Sequence, residues 1–146
     1  MKRRVILLVE DNRDDEALTM LALEDHAVAN EVVVARDGVE ALDYLFGPGE
    51  MPQLVLLDLK LPKVDGLEVL RQIRANEKTA YLPAVILTSS KEEEDIVRGY
   101  RLGANAYVRK PVDFEEFSQA IATLGMFWML LNRLPGDETP APSAVG

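Results

Sequence analysis

The residues best able to do chemistry in this 146-residue chain are acids and one lysine, each at the end of a short apolar run. Glu10 and Asp11 follow VILLV (5–9), Asp58 follows LVLL within QLVLLDLKLP (53–62), Thr88 closes AVILT (84–88), and Lys110 closes AYVRK (106–110). Asp58 poses the sharpest problem. A buried strand cannot carry an unpaired carboxylate, because taking a charge out of water costs far more than local preference returns. It must therefore emerge where something pairs with it. Three carboxylates gathered together repel one another unless a cation sits among them. An all-oxygen set favours a hard cation, and Mg²⁺ uses only one or two carboxylates plus waters and substrate oxygens. Asp11 and Asp58 are the expected direct ligands, with Glu10 acting through water and the Lys60 carbonyl as a backbone ligand. Lys110 brings a compact positive charge for a phosphoryl oxygen or for Asp58 itself, and Thr88 a hydroxyl donor. A nucleophilic carboxylate beside a metal and a lysine suits transfer of a phosphoryl group onto Asp58.

The elements that would position these groups are legible in the pattern. Five apolar runs, the second being EVVVA (31–35), alternate with segments of helical spacing. That alternation is the signature of an α/β fold, a parallel sheet with helices on both faces. Asn12 reads as an N-cap followed by acids, Asp37-Gly38 and Asp65-Gly66 as starts of the second and third helices, Gly47-Pro48-Gly49 as a stop, and Gly103 as a C-cap. The fifth helix is expected from Asp113 to about Leu134. In an open parallel sheet the functional crevice lies beyond the carboxyl ends of the strands, where the acids, the hydroxyl and the ammonium would meet.

Composition narrows the class. With 16 Lys+Arg against 25 Asp+Glu the net charge is −9, which repels nucleic acid and anionic membrane alike. There are no cysteines, which removes disulfides and thiolate metal sites and fits a reducing compartment. MKRRVILLVEDN starts like a signal peptide, but its apolar run is short and acids follow it. No apolar run approaches the length of a bilayer. A cytoplasmic protein is expected.

The motifs VEDN (9–12), DLKLPKVDG (58–66), LTSS (87–90) and AYVRKP (106–111), in this order and spacing, resemble a response-regulator receiver domain over residues 4–134. The resemblance implies a doubly wound five-stranded sheet, flavodoxin-like in order 2-1-3-4-5, with five helices and a long last one. It implies Asp58 as phospho-acceptor, Glu10 and Asp11 as the acidic pocket with Mg²⁺, Lys110 as the pocket lysine, and Thr88 and Tyr107 as a switch pair. The Lys110-Pro111 bond would be cis, and the phosphoryl donor a sensor histidine kinase. The chain would then be a signalling module, not a turnover enzyme.

GMFWMLLNRLP (125–135) is similar to the extended last helix of single-domain regulators paired with phytochrome-type kinases. Phe127, Trp128, Met129, Leu130 and Leu134 would form a homodimer or partner face. Residues 135–146 read as a flexible Pro-rich tail, with no output domain expected. Three alternatives remain open: an aspartyl-nucleophile Mg²⁺ phosphohydrolase, an FMN-binding protein, and an adaptor of the same fold whose pocket is unused.

Overall fold

A computed structural model of the chain describes residues 5–25, 31–88, 93–110 and 114–125. The elements run β1 (Val5–Val9), α1 (Arg13–Asp25), β2 (Glu31–Ala35), α2 (Gly38–Phe46), β3 (Leu54–Leu57), α3 (Gly66–Ala75), β4 (Ala84–Thr88), α4 (Glu93–Arg101), β5 (Ala106–Arg109) and α5 (Phe114–Gly125). All strand pairs are parallel, in the order β2-β1-β3-β4-β5. The expected architecture and strand order are both present.

Parity along the strands sorts the core into two layers. Leu7, Val9, Val55, Leu57, Ala84 and Ile86 pack with Ala41, Leu45, Val69, Leu70 and Ile73 of α2 and α3. Ile6, Leu8, Leu54, Leu56, Val85 and Leu87 pack instead with Ala22 and Leu23 of α1 and with Phe117 and Ile121 of α5. Adjacent residues of a strand point to opposite faces, so runs such as VILLV and LVLL are apolar throughout because both faces are covered. Each fully buried Leu, Ile or Val contributes about 1.5–3 kcal/mol.

The helix starts are set by side-chain caps. Asn12 Oδ1 accepts from the N–H groups of Asp14 (2.9 Å) and Asp15 (3.0 Å). Asp37 Oδ1 accepts from Glu40 N–H (2.8 Å), and Asp65 Oδ1 from Glu68 N–H (3.0 Å). Such caps are worth about 1 kcal/mol each. Gly47 ends α2, and Gly103, at φ +99°, follows α4 with its N–H on Tyr100 O. The final part of the expected fifth helix, with Phe127, Trp128, Met129, Leu130 and Leu134, lies outside the described residues, as does the Lys110-Pro111 bond.

Candidate functional site

Three of the expected site residues occupy equivalent places in the sheet. Glu10, Asp58 and Lys110 each stand one residue past the end of a strand. Each donates its backbone N–H to the last carbonyl of the neighbouring strand: Glu10 to Ala35 O (2.9 Å), Asp58 to Val9 O (3.0 Å) and Lys110 to Thr88 O (2.7 Å). Their backbones thus belong to the ladder while their side chains begin where the core ends. That resolves how Asp58 can follow LVLL, since its carboxylate is buried but paired.

Parity also decides which groups meet. Glu10 continues the set Ile6, Leu8; Asp58 continues Leu54, Leu56; Lys110 continues Ala106, Val108. All three fall on the α1/α5 side. Thr88 continues Ala84, Ile86 on the other face, and Tyr107 stands opposite Ile86 in register and packs on that same layer. Thr88 is fully buried, and Tyr107 is partly buried beside Gly99 of α4, where an added Cβ would lie 3.9 Å from the ring.

β4 separates β3 from β5, so Lys110 must reach across two strand spacings, about 9–10 Å. Its long unbranched stem, the hydrogen bond and the reach of the Asp58 side chain together close that span. Its Nζ donates to Glu10 Oε1, to Asp58 Oδ2 (3.0 Å) and to Asp15 Oδ2 (2.9 Å). Burial alone would lower the lysine's pKa, but the hydrogen bond to Glu10, the charge of Asp58 and the hydrogen bond to Asp15 outweigh it and hold the ammonium charged. Glu10, 2% exposed, has its pKa pushed up to about 7. Burial is the largest cause and the nearby Asp58 adds to it, against the pull of Lys110. Its other oxygen, Oε2, accepts from Asn12 N–H at 3.2 Å.

The Asp58 Oδ1 oxygen accepts from Lys60 N–H at 3.2 Å, so the backbone after the strand turns back over its own carboxylate. That turn is held by Gly66, whose N–H donates to Leu59 O at 2.9 Å. A Cβ on Gly66 would fall 2.1 Å from Asp58 O and 2.7 Å from Leu59 Cα, so no side chain fits there. Lys63, at φ +67°, closes the same loop and pairs with Asp37 at 3.3 Å.

Carboxylate oxygens of Glu10, Asp11 and Asp58 lie within 4.8 Å of one another, Asp11 being exposed and the other two buried. This all-oxygen set, open to solvent on the Asp11 side, fits a hard divalent cation. Beside it, a cleft of about 400 Å³ is lined by Asp11, Lys60, Pro62, Asp65, Asp95 and Arg98.

Two functional-looking contacts were not foreseen. Asp15 on α1 joins the lysine; its only sequence signal is its place three residues after the cap, which is ambiguous with ordinary capping. Arg74, at the end of α3, donates to Gly103 O (2.9 Å), Ala80 O (3.2 Å), Leu82 O (2.7 Å) and Asn105 Oδ1 (2.9 Å), and none of these acceptors is a carboxylate. It ties the loops before β4 and β5 together.

Sheet order, ladder-end acids and a crossing lysine define an acidic pocket at the strand ends of a doubly wound domain, and comparison with known proteins gives its class. Residues 6–122 match the family described as "Response regulator receiver domain". Response regulator Rcp1 of Synechocystis sp. is 36% identical over 137 residues, spanning 90% of this chain and 93% of the relative. The Mn²⁺-bound crystal structure of Rcp1 has a TM-score of 0.82, covering 90% of this chain and 99% of that one. The phosphorylated cyanobacterial phytochrome response regulator RcpA is 38% identical with a TM-score of 0.85, covering 92% and 99%. The bacteriophytochrome response regulator AtBRR is 58% identical with a TM-score of 0.72, covering 91% and 100%. The chain belongs to the response-regulator receiver family, the signalling domains of two-component systems. Among the described residues no helix is long and apolar enough to cross a membrane.

Proposed function

We propose that this chain is a single-domain response regulator that accepts a phosphoryl group on Asp58 from the phosphohistidine of a sensor histidine kinase. The observation that carries the reading is the Lys110 ammonium held between Asp58, at 3.0 Å, and Glu10. It neutralises the acceptor through Asp58 Oδ2, while Oδ1 accepts from the Lys60 N–H, and Asp11 lies close by on the exposed side. In the transfer a bond forms between an Asp58 carboxylate oxygen and phosphorus as the donor's P–N bond breaks, and the histidine leaves as imidazole. Asp11 and Asp58, with Glu10 through water and the Lys60 carbonyl, would hold Mg²⁺, which supplies charge neutralisation at the transferring phosphoryl oxygens. The Lys60 N–H and the Lys110 ammonium orient the acceptor. Burial of Glu10 and Asp58 keeps competing water from most of the pocket.

Thr88 and Tyr107, on the opposite face parity from Asp58, are the switch pair. A phosphoryl group adds charge and three acceptor oxygens at the strand ends, and Thr88 moves toward it while Tyr107 turns into the space against Gly99. α4 and β5 carry that change outward. The relatives named for phytochrome regulation support a phytochrome-type kinase as donor. Phe127, Trp128, Met129, Leu130 and Leu134 form the dimer face, residues 4–134 the receiver unit, and the cell interior its location.

The test is intact mass after incubation with Mg²⁺ and acetyl phosphate, beside Asp58→Asn and a Mg²⁺-free control, with molar mass by light scattering on the same samples. One added phosphoryl group on the wild type alone, in a particle of twice the chain mass, is expected. An adduct on Asp58→Asn would move the acceptor elsewhere, and a monomer at every concentration and phosphorylation state would remove the dimer.

A further inference from the structure

We infer that Asp15 is a positioning residue for phosphoryl transfer, a tether that occupies one N–H of Lys110 while Asp58 is free and releases it to the arriving phosphoryl oxygen. The inference rests on the reading of Asp58 as acceptor. An ammonium has three N–H donors and no acceptor. Among the described residues the three acceptors of Lys110 Nζ are Glu10, Asp15 and Asp58. A phosphoryl oxygen can therefore reach Lys110 only by displacing one of them.

Burial decides which. The side chains of Glu10 and Asp58 are 2% and 9% exposed, whereas that of Asp15 is 37% exposed. A released Asp15 carboxylate is rehydrated at once, while a released Glu10 or Asp58 side chain stays buried away from the bulk water that would replace the lost bond. The cheapest contact to break is the one made by α1.

Helix capping does not account for Asp15. At the third helical position an acid ordinarily reaches back to the N–H of the N-cap residue. Here the Asn12 N–H is taken by Glu10 Oε2 at 3.2 Å. The Asp15 backbone is nonetheless pinned, its N–H on Asn12 Oδ1 (3.0 Å) and its carbonyl accepting from the Thr19 hydroxyl (2.8 Å). The carboxylate is thereby aimed across the crevice at a lysine 95 residues away.

The test uses the full chain with Mg²⁺ and acetyl phosphate as donor, comparing wild type, Asp15→Asn and Asp15→Glu. Loss of a charged hydrogen bond at a partly exposed site predicts a half-saturating acetyl phosphate concentration lower by about two- to tenfold in Asp15→Asn. The maximal rate changes less, and Asp15→Glu returns toward wild type. The shift should persist in 0.5 M salt, roughly a 4–5 Å screening length, because a direct contact is screened far less than distant repulsion. An unchanged half-saturation, a fall confined to the maximal rate, or a shift abolished by salt would each overturn the tether while leaving Asp58 as acceptor. A wild type that takes no phosphoryl group would overturn the acceptor reading and the tether with it.

Discussion

Gly66→Ala probes the link between a turn motif and the pocket most directly. The new methyl would sit 2.1 Å from Asp58 O and 2.7 Å from Leu59 Cα. Carbon–oxygen contacts settle near 3.3–3.6 Å and carbon–carbon contacts near 3.5–4.0 Å. The start of α3 and the end of β3 must therefore part by about 1 Å. That movement breaks the Gly66 N–H to Leu59 O bond, now 2.9 Å, at about 0.5–1.5 kcal/mol. Overpacking adds about 1–3 kcal/mol, and the better helix propensity of alanine returns at most about 1 kcal/mol. The net expectation is a loss of about 2–3 kcal/mol. The displaced atom is the carbonyl of Asp58 itself, so chemistry should suffer beyond stability. A misplacement of 1 Å costs on the order of 100-fold in rate. Urea denaturation measures the first quantity, and the acetyl phosphate phosphorylation rate on folded protein the second. A variant within 1 kcal/mol of wild type, phosphorylated at the wild-type rate, would refute the claim that this close approach shapes the acceptor.

Three further outcomes follow from named contacts. Arg74→Met keeps the stem but strips the donors from three carbonyls and Asn105 Oδ1. A loss of about 3–4 kcal/mol in urea, with an unchanged slope, is expected, and a loss under 1 kcal/mol would contradict the stapling role. For Glu10, the folded value of about 7 lies above its ordinary 4.5, so between those values the folded chain holds a proton the unfolded chain lacks. The Glu10 contribution to metal-free stability is then fully present below pH 4.5 and declines as pH rises toward 7, by up to about 3 kcal/mol. Because a bound cation favours the ionised carboxylates, the rise in Tm on adding Mg²⁺ should be larger at pH 8 than at pH 6. An equal or larger rise at pH 6 would refute the assignment of Glu10 to the cation site.

The amino-acid sequence alone determined the architecture and most of the site, because both rest on local signals. Doubly apolar runs such as VILLV and LVLL imply strands covered on both faces, and Asn12, Asp37 and Asp65 announce the helices that follow. An acid at the end of such a run has only the crevice to go to, so Glu10, Asp11, Asp58 and Lys110 could be brought together on paper. Tertiary structure decided the rest. Which face each ladder-end residue takes depends on register, and it is register that sends Glu10, Asp58 and Lys110 to the α1 side and Tyr107 to the other. The closeness of Gly66 to Asp58 O, which leaves a Cβ about 1 Å too little room, is a tertiary approach that no spacing rule contains. Asp15 and Arg74 look in the sequence like ordinary helix-end charges. Their partners lie 95 and up to 31 residues away, and only the packing of α1 and α3 against the strand ends selects them.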